Sequence, residues 1–444
     1  MILRNISKVI LPALLVFGFA SCDIETIEDP NNPSVGSITT NASLSEIQNL
    51  VTGIEGGMRG NLGNYFDGVG AIGREFYRFS TSDPRFTSDL LGKGAAVLDN
   101  NTFYTTNPYA ARYRTVKNCN ILLQAVDNSK ALTSDAERNA AKGYANTIKA
   151  YELLLAWVEQ YDNGIRIDVS DPDNLGPFVG NGTPSEALRA IAQVLETGYT
   201  QLNTGGGAFP FQLGSGFAGF DIPSNFAMVN RAILSRVLVY NEDWSSALTA
   251  LTGSFFNLTG NLNDGVFYKF STSGGDVLNP QWFPLNASGE ARVAHPSFIT
   301  DAEAGDTRRS KATLRTSTEF QDGLQSDYDF TAFASNAAPI PIIRNEELIL
   351  IFAEAKIQMG DPTALADATA ALDIIRQAAG LGGYSGAATK AALIDELLKQ
   401  RRYSLYGEGH RWADVRRYGR LSTLPIDRPG DDVWERFPRP ANEN

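Results

Sequence analysis

The sequence predicts a mainly helical fold carrying a long, loop-built face, on three observations. Apolar residues recur at helical spacing in several separated segments. Between them lie long stretches rich in Gly, Asn and Pro. Those stretches hold many aromatic residues, which a disordered linker lacks, so they read as ordered surface. With 444 residues, 43% of them hydrophobic, the chain can bury a large core. A formal net charge of −12 argues against DNA or RNA, whose phosphates call for fields of Lys and Arg.

Taken in order, Ile148, Tyr151, Leu155 and Val158 share one helix face. They predict a helix over 134–160, opened by Ser134-Asp135 and stopped before Asp162-Asn163-Gly164. A helix over about 109–126 pairs with it. A second unit runs over 225–240 and 245–251. A third begins near Asn345 with the stripe Leu348, Ile351, Phe352, Ala355 and Met359. Gly360-Asp361-Pro362 ends that helix and opens the next, which carries Ala368, Ala371, Leu372 and Ile375. A last helix spans 390–406, with Leu393, Leu397 and Leu398 inward. These pairs, near 110–160, 225–252 and 345–406, have the size of tetratricopeptide units but no regular repeat. Loop-rich stretches fill 60–108, 161–184, 203–223 and 253–340.

Residues 1–21 have the layout of an export signal: Arg4 and Lys8, then an apolar run from Val9 to Phe19. That run is shorter than the roughly 20 residues that span a bilayer. Phe19-Ala20-Ser21-Cys22 resembles a bacterial lipobox and marks Cys22 for lipidation. An ordinary signal peptide with a chance cysteine, or an anchor helix, reads the same residues differently. Residues 22–43 follow as an acidic, turn-rich tether with Asp23, Glu25, Glu28 and Asp29, and 44–444 as one domain. Acids after such a cysteine are similar to surface-export signals of some bacterial groups, and equally to a plain solvated linker. Only one other cysteine, Cys119, is present, so no disulfide framework is expected.

The C-terminal hundred residues carry a more specific pattern. Pro341-Ile342-Ile343-Arg344 leads through Glu347 and Leu350 to Ala353-Glu354-Ala355. Ala371 to Leu381 follows, with Arg376 and Gly380-Leu381. Then come Arg401-Arg402, Glu408-Gly409, Arg411-Trp412, Asp414 and Gly419, with Gln400 and Ser404 where acids are usual. Asp306-Thr307-Arg308 and the segment Tyr113 to Leu123 fit as well. The pattern resembles the SusD/RagB family. That resemblance implies a SusD-like α-helical fold, with four tetratricopeptide-like hairpins as scaffold. It implies capture of oligosaccharides, or of peptides, by a lipid-anchored protein of the outer membrane facing the cell exterior. It also implies a SusC-like TonB-dependent transporter as partner, and neither enzymatic activity nor a cofactor.

Other motifs carry less chemistry. Glu408-Gly409-His410-Arg411-Trp412-Ala413-Asp414 groups His with carboxylates, as an acid–base site would, but reads as a buried ionic network. Gly68 to Gly73 has the spacing G-x-G-x-x-G without a strand before it, so no dinucleotide loop is expected. Asp171 to Gly176 lacks the later bidentate acid of a calcium loop. With two histidines in the chain, no metal site is expected. Sugar rings stack on aromatic faces while their hydroxyls take Asn, Asp and Arg. The loop residues chosen on that ground, from the two regions the family uses, are Trp282, Tyr77, Tyr104, Arg74, Asp83 and Asn107. Two further readings remain open: an exported helical glycoside hydrolase, with Asp83 and Asp306 as carboxylates to test, and a tetratricopeptide scaffold without a small ligand.

Overall fold

Helix boundaries follow the capping chemistry of the sequence. The computed structural model describes residues 35–171 and 173–443. Cys22, the export signal over 1–21 and the first part of the tether lie outside the described residues. The chain opens with α1 (Val35–Asn41), α2 (Leu44–Met58) and α3 (Leu62–Ile72), then strand β1 (Phe76–Ser80). Long helices α4 (Phe103–Asn128) and α5 (Asp135–Gln160) follow, then the short pair β2 (Ile165–Arg166) and β3 (Phe178–Val179). Next come α6 (Pro184–Asn203), α7 (Pro223–Tyr240) and α8 (Trp244–Thr252). Ser134 caps α5 as expected, in a reciprocal capping box with Glu137.

The second half brings β4 (Gly265–Tyr268), β5 (Glu290–Ala294), α9 (Pro296–Thr300), the hairpin β6 (Ala312–Gln321) and β7 (Leu324–Phe330), and β8 (Ile340–Arg344). It closes with α10 (Asn345–Met359), α11 (Pro362–Ala378), α12 (Lys390–Ser404) and α13 (Arg411–Arg417). Gly360, at φ 76°, ends α10, and Asp361 caps α11 by accepting from the Ala364 N–H at 3.0 Å.

The fold is mainly helical, as the sequence predicts. Helices stack in chain order: α4 on α5, α5 on α6, α6 on α7, α7 on α8, α8 on α10, and α10 on α11 and α12. Helix α6 is absent from the sequence-based expectation. It joins the first two helix pairs into one layer, burying Leu188, Ile191, Leu195 and Leu202. Its stripe is legible once Pro184 is taken as a first-turn residue.

Three expectations need correction. The tether does not run free to residue 43: α1 packs on α4, and the Ser129 hydroxyl donates to the Ala42 carbonyl at 2.6 Å. The region 60–108 is not all loop, since it holds α3 and β1. The region 253–340 is largely strand and turn. There β1, β5, β7 and β6 form an antiparallel sheet in that order, while β4 pairs with β8. The β6–β7 hairpin turns on Asp322-Gly323, both at positive φ (55° and 79°), the conformation its two-residue turn requires.

The G-x-G-x-x-G segment lies on α3 and its end, not in a phosphate-binding turn. A side chain at Gly68 would meet the Phe437 ring at 2.8 Å, so close helix packing uses the glycine there. The motif around Asp414 is a buried lock. Arg401 donates to Asp414 at 2.7 Å, Arg417 bridges Asp414 and Glu354, and Arg344 holds Glu408 at 2.7 Å. These groups tie α10, α12 and α13 together and are spent on one another. Gln400 and Ser404, in place of acids, accept from Arg308 at 2.7 and 2.9 Å, and the Asp306 carboxylate supplies the charge partner of that guanidinium at 2.8 Å.

Candidate ligand-binding ledge

A ledge of half-buried aromatics lies where three segments meet: the turn after β1, the first turn of α4 and the loop before β5. Asp83 opens the turn after β1. Its carboxylate accepts from the Arg85 N–H at 3.0 Å and from the Arg85 guanidinium at 2.9 and 2.6 Å. Those Arg85 bonds hold the Asp83 carboxyl below the ordinary carboxylate range. The Arg85 guanidinium lies 4.9 Å from the centre of the Phe103 ring. Phe86 meets Phe103 edge-on at 5.2 Å. Arg78, on β1, lies 5.1 Å from the Phe86 ring and 4.6 Å from that of Phe283. Phe283 is also covered by Arg292 at 4.9 Å and follows the half-buried Trp282 in the chain. Asn107, exposed, sits one helical turn beyond Phe103 on the same face of α4.

Beside the aromatics, Glu290 accepts from the Ser80 and Ser82 hydroxyls at 2.6 and 2.8 Å and from Arg78 at 2.6 Å. Burial works to raise its pKa, but those hydrogen bonds win and hold it near 2. The carboxylate is therefore a fixed acceptor at any ordinary pH. Together the surface offers apolar ring faces beside anchored charged and amide groups. That combination suits a ligand with both apolar faces and hydroxyls, and no group here is poised to transfer a proton.

Of the six residues chosen from sequence, the fold brings Asp83 and Asn107 to this ledge and places Trp282 beside its Phe283 wall. The other three lie beneath it and need correction as contacts. Tyr104 is 0% exposed; its hydroxyl donates to Asp89 at 2.7 Å and accepts from the Asp99 N–H at 2.8 Å. Arg74, also 0% exposed, donates to the Pro425 and Asp432 carbonyls at 3.1 and 2.7 Å. Tyr77 is buried between Phe79, stacked at 5.6 Å, and His295 at 5.0 Å. Closed off from solvent, none of these can stack on or bind a surface ligand in this conformation. Sequence reasoning passed over Phe86, Arg78, Arg85 and Glu290. The dipeptide Arg85-Phe86 beside Asp83 was the available signal, a cation and a ring next to a turn-forming acid.

The hydrolase reading asks for two free, facing carboxylates. Asp306 is buried and binds the Arg308 N–H and guanidinium, both at 2.9 Å, while Asp83 is committed to Arg85. Cys119 is buried, and burial raises its thiol pKa, which leaves a nonreactive thiol.

Residues 296–437 match the SusD family. No curated protein sequence matches the chain. Among solved structures, a SusD superfamily protein from Bacteroides vulgatus is 17% identical over 90% of this chain and 96% of its own, with a TM-score of 0.65. Surface glycan-binding protein A from Bacteroides thetaiotaomicron, in complex with laminarihexaose, is 14% identical over 90% of this chain and 97% of its own, also at 0.65. A SusD superfamily protein from Parabacteroides distasonis is 15% identical over 90% and 96%, at 0.62. At these identities the likeness is one of fold, and it extends across nearly the whole of each chain.

Proposed function

Because residues 296–437 match the SusD family and the fold is that of a SusD superfamily protein, we propose that this chain is a SusD/RagB-family cell-surface protein that binds oligosaccharides on the ledge around Phe86 and Phe103. It releases them to a SusC-like TonB-dependent transporter of the outer membrane. Lipid on Cys22 is the anchor in this reading. No described helix is long and apolar enough to cross a membrane. The ledge is the observation that carries the reading: partly open rings flanked by the fixed acceptor Glu290, the Asp83–Arg85 pair and the Asn107 amide. The glycan ligand of a structural relative supports an oligosaccharide over a peptide.

Affinity electrophoresis of the purified protein against a panel of bacterial, plant and host polysaccharides tests this reading. Retardation by at least one glycan, with no sugar released from it, is the expected result. Sustained product release would turn the reading to the hydrolase. Retention of peptides with no glycan retarded would change the ligand class.

A further inference from the structure

Residues 428–441 reach back over an earlier loop. After α13 they run as an extended strap across the backbone of residues 87–100, the loop that continues from the Asp83–Phe86 turn into α4. The Arg428 guanidinium donates to the Thr87 carbonyl at 2.6 Å. The Trp434 indole N–H donates to the Asp89 carbonyl at 2.8 Å, and the Asp432 N–H to the Leu91 carbonyl at 2.8 Å. In return the Gly94 N–H donates to the Gly430 carbonyl at 3.0 Å, and the Ala441 N–H to that of Asn100 at 2.9 Å. Gly92, at φ 69°, allows the strap this close, since a Cβ there would lie 2.5 Å from the Asp432 Cβ.

The strap is itself fixed to the helical body. The Trp412 indole donates to the Trp434 carbonyl at 2.8 Å, and Arg416 donates to the Glu435 carbonyl at 2.8 Å. The Phe437 N–H reaches the carbonyl of Glu159 at the end of α5 at 2.9 Å. Asp89 is the junction: its carbonyl takes Trp434 and its carboxylate takes Tyr104, the first-turn residue of α4 next to Phe103. Loop, strap and helix start are thereby held in one arrangement.

We propose that residues 428–441 form a clamp that sets the ligand-binding shape of the loop over 83–101, with Trp434 and Arg428 as its positioning residues. The link to ligand rests on the ledge reading above; the clamp itself does not. Neither residue is a ledge contact. Their bonds run to loop carbonyls, so they fix backbone shape and remove ordering entropy that a ligand would otherwise have to supply.

Hydrogen–deuterium exchange on the free, full-length protein reads the clamp directly. Trp434→Phe keeps a ring and loses the N–H; Arg428→Gln tests the other handle and keeps the test open should one variant fold poorly. The amides of Asp89, Leu90 and Lys93, hydrogen-bonded within the loop, and of Gly94, bonded to the strap, are expected to exchange about tenfold faster in each variant, with α5 and α10 unchanged. Unchanged loop exchange, or an equal rise across α5 and α10, overturns the clamp. Because this measurement needs no ligand, failure of every glycan to bind would sink the ledge and leave the clamp standing. A loosened loop in a variant that is retarded as strongly as wild type by the same glycan would break the link between clamp and ledge.

Discussion

At the scale of single residues, position relative to the surface decides role more than residue type does. Tyr104 and Phe103 are neighbours in sequence, yet Tyr104 is sealed against Asp89 and Asp99 while Phe103 is half-buried beside Arg85. Residue type and loop context pick out the segments that meet at the ledge. They could not say which of two adjacent rings faces out, because that depends on the side of α4 the strap covers. That Asp83 and Asn107 reach the surface was legible, because small polar residues at a turn and on an exposed helix face seldom point inward. Gly92 gives a sharp test at this scale. Gly92→Ala places a Cβ against Asp432 at a positive φ, and unfolding in urea is expected to show a loss of about 2 kcal/mol. An unchanged midpoint and slope would mean that the strap does not approach the loop this closely.

At the scale of elements, the long paired helices α4, α5, α7, α10, α11 and α12 were legible, while α2, α3, α6 and the β6–β7 strands were not. Stripes such as Leu348, Ile351 and Ala355 survive because one helix face meets the core. Strand β6 alternates poorly: Leu314 and Phe320 are 66% exposed, while Arg315 and Glu319 turn inward to pair with each other. Its ladder with β7 also shifts register between Leu314 and Glu319, which breaks the period of two. The hairpin signal Asp322-Gly323 was present all the same.

The centre of the helical layer carries a titration signature. Burial lifts Glu159, near the end of α5, to about 8, and Glu152 to about 7 despite Arg112 at 3.0 Å. Neither Glu159 carboxylate oxygen has a hydrogen-bond partner among the described residues. Folded Glu159 thus keeps its proton where unfolded Glu159, near its ordinary 4.5, has lost it. Between those pH values the unfolded chain binds fewer protons, so stability falls as pH rises toward 8. Burial lowers His410 to about 4, which acts the other way and costs stability as pH falls below about 6.5. Glu159→Gln removes the alkaline loss. Chemical denaturation should find it more stable than wild type by on the order of 2 kcal/mol at pH 8, with the gap closing by pH 5. A pH-independent difference would contradict a buried, protonated Glu159.

At the scale of the whole molecule, the helical layer is a scaffold. The loops and strands between its helices, with the strap laid over them, build the ledge. The family pattern was legible because its buried ion pairs are local in sequence: Arg401 with Asp414 and Arg344 with Glu346. The ledge was less legible, because it joins residues 83–107 to residues 282–290, and separation of that order leaves no period to read. The central claim is that ligand binds on this joined surface. Isothermal titration calorimetry of the wild-type protein and a Phe103→Ala/Trp282→Ala variant, against the glycan that retards the wild type most strongly, tests it. The expected result is an affinity loss of at least about tenfold with an unchanged melting temperature, as the loss of one or two aromatic platforms implies. Equal affinity in the two proteins would place the ligand elsewhere and contradict the account.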